Sequence, residues 1–382
     1  MRDSDTVARL GGDEFVILAE DLENEQEALA LAQRVIDAVE LPVALKSTEV
    51  AMLASVGVAV AHEPDADPET MLREADVAMY RAKQAGGQRA ELFDEHMRKE
   101  LTTNVQILGA LRNALPQDEL ELVYQPILPL AGGKALGCEA LVRWHPRGGE
   151  YAARDEVLLP SAFLPPAEES ELIVQIGSWV LHNACQQADR WRRNGVPMPV
   201  FVNISARELT ELDLAERVRE ELARCRLPGR ALCLEVAEES VQRDPERARS
   251  ALRDVKRLGV SIALDRFGSG KFSLGLPSNL PLDVVKLDPA LVASFDRDKE
   301  RRAMFAATIA LAKQASLTAV AVGIETNRQL ALARELDCAL GQGFLLHKPT
   351  PPERLRLRRS AGSVRSAPWR TTVRLGGGEG RR

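Results

Sequence analysis

The chain has 382 residues, 45% of them hydrophobic and 28% charged, which is the make-up of a globular protein with room for two or three domains. Its 56 acidic and 50 basic residues leave a formal charge of -6, which excludes an overall basic field for nucleic acid or an anionic membrane, so any anionic ligand needs a local site. Five scattered cysteines (Cys138, Cys185, Cys225, Cys233 and Cys338) with no C-x-x-C spacing exclude a disulfide framework and a structural zinc site and fit a reducing, cytoplasmic setting.

The opening "MRDSDTVARLGG" has no apolar h-region, and the longest apolar run, from Val50, is broken by Ser55 and Gly57 and is too short for a membrane segment. "VARL" and "FVILAE" flank Gly11-Gly12, which predicts a hairpin in which both glycines supply the positive φ of a tight turn. A helix follows from about Asn24 to Val39, with Asn24 as N-cap and Glu27 three residues on. Strands are expected around Leu45 and from Leu53 to Ala61, then a helix from Pro68 that stops at Gly86-Gly87. This α+β segment occupies residues 1–95, and residues 96–115 read as a helical connector.

The pattern then changes. Eight short apolar stretches, "LVYQPIL", "CEALVRW", "VFVNIS", "LCLEVAE", "SIALDRF", "VVKLD", "AVAVGIE" and "GQGFLL", alternate with helical ones such as Asp213–Arg224, Pro245–Leu258 and Arg301–Gln314. Such alternation predicts a TIM-like (β/α)8 barrel over residues 116–357, with functional groups at the C-terminal ends of its strands. Polar residues sit there: Glu139, Asn203, Glu235, Asp265, Lys286, Glu325 and Gln342. One such residue is commonly a solvated strand end, but hard oxygen donors at four matching ends suit Mg²⁺, Mn²⁺ or Ca²⁺. The remaining residues, 358–382, are rich in Arg, Gly and Ser and read as a disordered basic tail.

In order and spacing, "CEALVRW", "VNISARE", "LEVAEES", "LDRFGSG", "VKLDPALV", "VGIET" and "GQGFLL" resemble the successive motifs of the EAL domain, the phosphodiesterase module for cyclic di-GMP, over roughly residues 108–357. The resemblance implies a barrel with one strand reversed, in which two divalent ions activate water to open one phosphodiester and release linear pGpG. It implies metal ligands at Glu139, Asn203, Glu235 and Asp265, a water-positioning lysine at Lys286, and nucleotide or supporting contacts at Gln125, Arg143 and Gln342. Glu238 matches the glutamate that steadies the loop after "DRFGSG", and Glu325 matches a second supporting glutamate.

Two positions depart from the pattern. Where the family has paired aspartates, which hold two ions about 3.5–4 Å apart, this chain has Asp265-Arg266. Where the family has its general base, typically worth about 10²- to 10⁴-fold in rate, this chain has Val322. Glu325 lies an odd number of residues further on and, were the strand to continue, would face away from Val322. Arg266 is expected to pair with Asp265 or to meet a ligand phosphate, with a solvent-facing arginine as the alternative. One Mg²⁺ or Mn²⁺ site is expected, and occupancy by two ions is not.

"VARLGGDEFVIL" resembles the GGDEF signature of diguanylate cyclases through Gly11, Gly12, Asp13 and Glu14, and "ADVAMYRAKQAGG" resembles a later part of that domain. The family's upstream half lies outside this sequence, so a truncated domain without cyclase activity is expected, and an upstream start codon would account for it equally. Arg2 and Asp5 fit the R-x-x-D pattern of the family's inhibitory site. Together these features predict a cyclic di-GMP signalling protein whose EAL module binds the nucleotide, hydrolyses it poorly if at all, and acts on a protein partner or as a homodimer. The alternatives are an active phosphodiesterase and a nucleotide-independent scaffold.

Overall fold

A computed structural model of the chain describes residues 4–45, 48–61, 63, 65–148, 157–268 and 280–355. The chain divides into two compact units, the first ending at Gln106 and the second beginning at Ile107. Arg2, the loop after Gly268 and the basic tail lie outside the described residues.

In the first unit, β1 (Thr6–Gly11) and β2 (Glu14–Leu18) form the expected antiparallel hairpin. Only one of its two glycines does what was expected of both: Gly12 has φ +54, while Gly11 belongs to β1 and pairs with Glu14. The Arg9 guanidinium donates to the Gly12 carbonyl at 3.0 Å and lies over the Phe15 ring, bracing the turn from one side. Helix α1 (Glu25–Glu40) starts where Asn24 accepts the Glu27 backbone N–H at 3.0 Å, and it buries Ala28, Ala32 and Ile36 along one stripe. A short hairpin of β3 (Val43–Leu45) and β4 (Thr48–Val50) follows, then β5 (Val56–Val58), shorter than the apolar run around it.

Helix α2 (Pro68–Gln84) combines an Asp67 cap with proline in its first turn. It packs so close to β5 that a Cβ on Gly57 would stand 1.9 Å from the Ala75 carbonyl oxygen. Strand β6 (Ala90–Leu92) pairs parallel with β5, and α3 (Glu95–Ala114) carries the chain across the unit boundary as one helix.

The second unit is the predicted barrel. It opens with β7 (Leu120–Pro129) and β8 (Gly137–Trp144), then α4 (Pro160–Glu168) and α5 (Leu172–Arg193). Strand β9 (Val200–Ile204) leads into α6 (Ala206–Thr210) and α7 (Leu214–Arg224), and β10 (Leu232–Ala237) into α8 (Glu238–Arg243) and α9 (Pro245–Arg257). Then come β11 (Ser261–Phe267), β12 (Val284–Leu287), α10 (Pro289–Ser294) and α11 (Lys299–Gln314). Strand β13 (Thr318–Val322), α12 (Asn327–Glu335) and β14 (Leu340–Gln342) complete it.

The strands close in the order β10-β11-β12-β13-β14-β7-β8-β9, and β7 runs antiparallel to both neighbours, the single reversed strand that the resemblance implied. Two expected strands are shorter than their apolar stretches. β13 stops at Val322 because Gly323 turns with φ +86, and β14 stops at Gln342, leaving Phe344 and Leu345 outside it and exposed.

Most of the core fills the space between the strands and the surrounding helices. A second, smaller cluster lies inside the barrel: Ile127, Phe201, Cys233, Ala263, Val284, Val320 and Leu340. Each is two residues along its strand from a polar or variant position, respectively Gln125, Asn203, Glu235, Asp265, Lys286, Val322 and Gln342. Because side chains two apart share a face, a dry layer forms a floor directly beneath a polar one. On β8 the corresponding floor position is Gly137, where the Phe201 ring takes the room of a side chain.

Candidate active site at the barrel mouth

Glu139 is the hub of the polar layer. It is the third residue of the eight-residue β8 rather than a strand-end residue, and it pairs with Phe201 two positions before Asn203; the stagger between barrel strands brings it level with the others. Its Oε1 accepts from Asn203 Nδ2 at 3.0 Å, and its Oε2 accepts from Gln342 Nε2 at 2.8 Å and Lys286 Nζ at 2.6 Å. The Lys286 ammonium also lies 2.9 Å from Glu235 and is 1% exposed, so it bridges two carboxylates inside the barrel.

Burial raises the Glu139 pKa, but Lys286 and the hydrogen bonds from Asn203 and Gln342 outweigh it and hold the carboxyl below the usual range. Glu235 has fewer such partners. Burial, then the charge on Glu139, push its pKa well up despite Lys286. Asp265 is raised for the same two reasons, partly offset by Lys286 and by a hydrogen bond from the Arg266 backbone N–H. Burial would lower the Lys286 pKa; Glu139, Glu235 and Asp265 reverse this and keep it protonated.

The structure gathers Glu139, Asn203, Glu235, Lys286, Gln342 and Gln125 into one hydrogen-bonded set with Asp265 beside it. Gln125 and Gln342 are buried and interlocked: Gln342 Nε2 donates to Gln125 Oε1 at 2.9 Å, and Gln125 Nε2 donates to the His347 carbonyl at 2.9 Å. The Gln342 Oε1 has no hydrogen-bond partner among the described residues. Arg143 stands four residues beyond Glu139 on the same face of β8, with its pKa lowered by burial.

Arg266 stands apart from the expectation of a pair with Asp265. It occupies a β-bulge: Leu264 pairs with Val285 and Phe267 with Leu287, so two residues of β11 face one of β12. Its φ is +54, its side chain is exposed, and it makes no ion pair with any described residue. Val322 occupies the polar layer but packs down on the apolar floor.

Glu325 is exposed and lies beyond the end of β13, so strand alternation does not govern its direction. Its backbone N–H donates to Gln329, which belongs to the capping box of α12. Glu238 is buried at the start of α8 and accepts from Gln242 at 3.2 Å. In the first unit, Gly11, Gly12, Asp13 and Glu14 lie exposed at the hairpin turn, and Asp5 precedes β1. The apolar floor was missed in the sequence, although its signal is there: a small or apolar residue two positions before each polar one, or two after it on the reversed strand β7.

Among the described residues, no three His, Cys, Asp or Glu side chains form a ready metal-binding group, since Lys286 holds the carboxylates around itself. The donors Glu139, Asn203, Glu235 and Asp265 nevertheless fit one hard divalent ion by chemistry, and Arg266 supplies no ligand for a second.

The EAL domain family matches residues 108–349, and the diguanylate cyclase GGDEF domain family matches residues 1–89. The chain is similar to the bifunctional diguanylate cyclase/cyclic di-GMP phosphodiesterase MucR of Pseudomonas aeruginosa, at 36% identity over 93% of this chain and 51% of MucR. It is also similar to the cyclic di-GMP phosphodiesterase NbdA of the same organism, at 37% identity over 92% of this chain and 44% of NbdA. It thus spans about half the length of these relatives. Among solved structures, the PaMucR phosphodiesterase in complex with c-di-GMP aligns over 65% of this chain and 99% of that one, with TM-score 0.61 and 37% identity. The EAL domain of Mycobacterium smegmatis DcpA aligns over 61% and 94%, with TM-score 0.52 and 33% identity.

Proposed function

Because the chain belongs to the EAL domain family, we propose that its barrel binds cyclic di-GMP at the mouth, hydrolyses it poorly or not at all, and passes nucleotide occupancy to a protein partner or a second copy. One observation carries this reading: in the polar layer around Glu139, Val322 stands where the family has an acid, and Arg266 follows Asp265 on an exposed bulge beside the layer. Similarity to the PaMucR phosphodiesterase, solved as a c-di-GMP complex, supports the ligand class.

Glu139, Asn203, Glu235 and Asp265 would hold one Mg²⁺ or Mn²⁺. Such an ion, when bound, supplies Lewis-acid polarisation of a phosphate oxygen and lowers the pKa of a bound water. Lys286, which donates to Glu139 and Glu235, would give up at least one of these carboxylates to the metal site, and its ammonium would then be free to orient a phosphate oxygen or water. Gln342 and Asn203 hold Glu139 in place. Val322 accepts no proton, so no group in the layer takes one from an attacking water at that position.

The test is calorimetry with cyclic di-GMP, with and without Mg²⁺, alongside an assay for pGpG. Binding without turnover is expected. Steady turnover by the wild type would establish the active phosphodiesterase instead, and silence in both assays would leave a scaffold. The double variant Arg266→Asp/Val322→Glu is expected to gain measurable hydrolysis, because it restores a carboxylate at each altered position while leaving the Glu139 network intact.

A further inference from the structure

We propose that Arg266 is a built-in phosphate clamp that sets the site's stoichiometry at one divalent ion per bound cyclic dinucleotide. This inference rests on the cyclic di-GMP reading above and deepens it.

The first argument is conformational. At φ +54 an arginine sits in a region that glycine, asparagine and aspartate tolerate best, and the bulge leaves it no regular strand geometry. Arginine is not among the side chains this backbone favours. Its guanidinium offsets that penalty with no ion pair to any described residue, and it is exposed next to Asp265, where its charge is felt by that carboxylate. An exposed cation held at the rim of this carboxylate-rich layer, at a conformational cost, is placed for an incoming phosphate.

The second argument is charge. The polar layer contains three carboxylates, Glu139, Glu235 and Asp265, and one ammonium, Lys286, an excess of two negative charges that one divalent ion neutralises. Arg266 then adds one positive charge, matching the single charge of one phosphodiester, which its planar fork can grip with two hydrogen bonds. A second divalent ion would add two more positive charges with no carboxylate left to balance them. Without any ion, the negative charge of the layer would oppose the phosphate. One ion together with Arg266 therefore balances the layer and one of the dinucleotide's two phosphodiesters.

Mn²⁺ titration followed by electron paramagnetic resonance, with and without cyclic di-GMP, combined with calorimetry of nucleotide binding, tests this in the full chain. The wild type should bind one Mn²⁺ in the presence of nucleotide. Arg266→Gln should still bind one Mn²⁺ but lose at least tenfold in nucleotide affinity, and Arg266→Lys should recover part of that loss. Arg266→Asp, which its backbone accommodates easily, should bind two Mn²⁺. Thermal melts confirm that each variant is folded. Two Mn²⁺ in the wild type, or an Arg266→Gln affinity within twofold of wild type, overturns the clamp while leaving nucleotide binding intact. A wild type that binds no nucleotide overturns this inference and the proposed function together.

Discussion

Lys286 is the residue on which the mouth depends most. Removing one partner of a buried ion pair leaves the other charge uncompensated, at a cost of about 3–5 kcal/mol. Lys286→Met would leave Glu139 and Glu235 facing each other with no cation between them, so chemical denaturation should show a loss of that order, recovered in part by adding Mg²⁺. Glu235 behaves in the opposite way. Its folded pKa is raised, so it contributes stability that is fully present below the ordinary carboxylate range and is lost as pH rises through the raised value. The ion-free protein should therefore melt at a higher temperature as pH falls from neutral towards that range. Glu235→Gln should flatten this trend and melt a few degrees above wild type at neutral pH, because Lys286 retains Glu139. The composition of this residue set was legible in the sequence, since polar residues interrupt apolar strands. The pairing of Lys286 with Glu139 was not, because the two are 147 positions apart and meet only when the barrel closes.

At the scale of elements, caps were the clearest part of the sequence. Asn24 accepts a backbone N–H as expected, and Asp67 does the same at the start of α2, because a cap is a local hydrogen bond that needs no distant partner. Strand ends were less legible. The apolar runs through "AVAVGIE" and "GQGFLL" continue beyond β13 and β14, and it is the turn at Gly323 and the closure of the barrel that stop the ladders. The bulge at Arg266 was likewise hidden, since a bulge is a relation between two strands and β12 is named nowhere in the β11 sequence. Gly57 gives an element-scale prediction. A methyl group there would strike the backbone of α2, a contact that cannot relax without shifting the helix, so Gly57→Ala should destabilise the first unit by about 1–3 kcal/mol. Hydrogen exchange should show faster exchange in α2 and β5 with the barrel strands unchanged.

At the scale of the molecule, the two units differ in how completely they bury what they contain. The barrel closes eight strands on themselves and leaves no edge among them, whereas the described residues of the first unit form three separate two-stranded sheets. Val7, Leu10, Phe15 and Leu18 of its hairpin are each more than half exposed. Calorimetry of the full chain should accordingly show two transitions, with the first unit melting at the lower temperature and the upper transition alone rising when cyclic di-GMP and Mg²⁺ are added. A single transition that shifts as a whole would show that the units unfold together. No helix among the described residues is long and apolar enough to cross a membrane.

The amino-acid order by itself determined the alternation that makes a barrel, the caps, the family resemblance and the two positions where it departs, because periodicity and residue type are local properties that survive without a partner. Only the tertiary structure decided that Glu139 is the hub, that an apolar floor underlies every polar position, and that Arg266 sits on a left-handed bulge without an ion pair to any described residue. Those facts depend on strand stagger and register, which relate residues far apart in sequence and come into being when the sheet closes on itself.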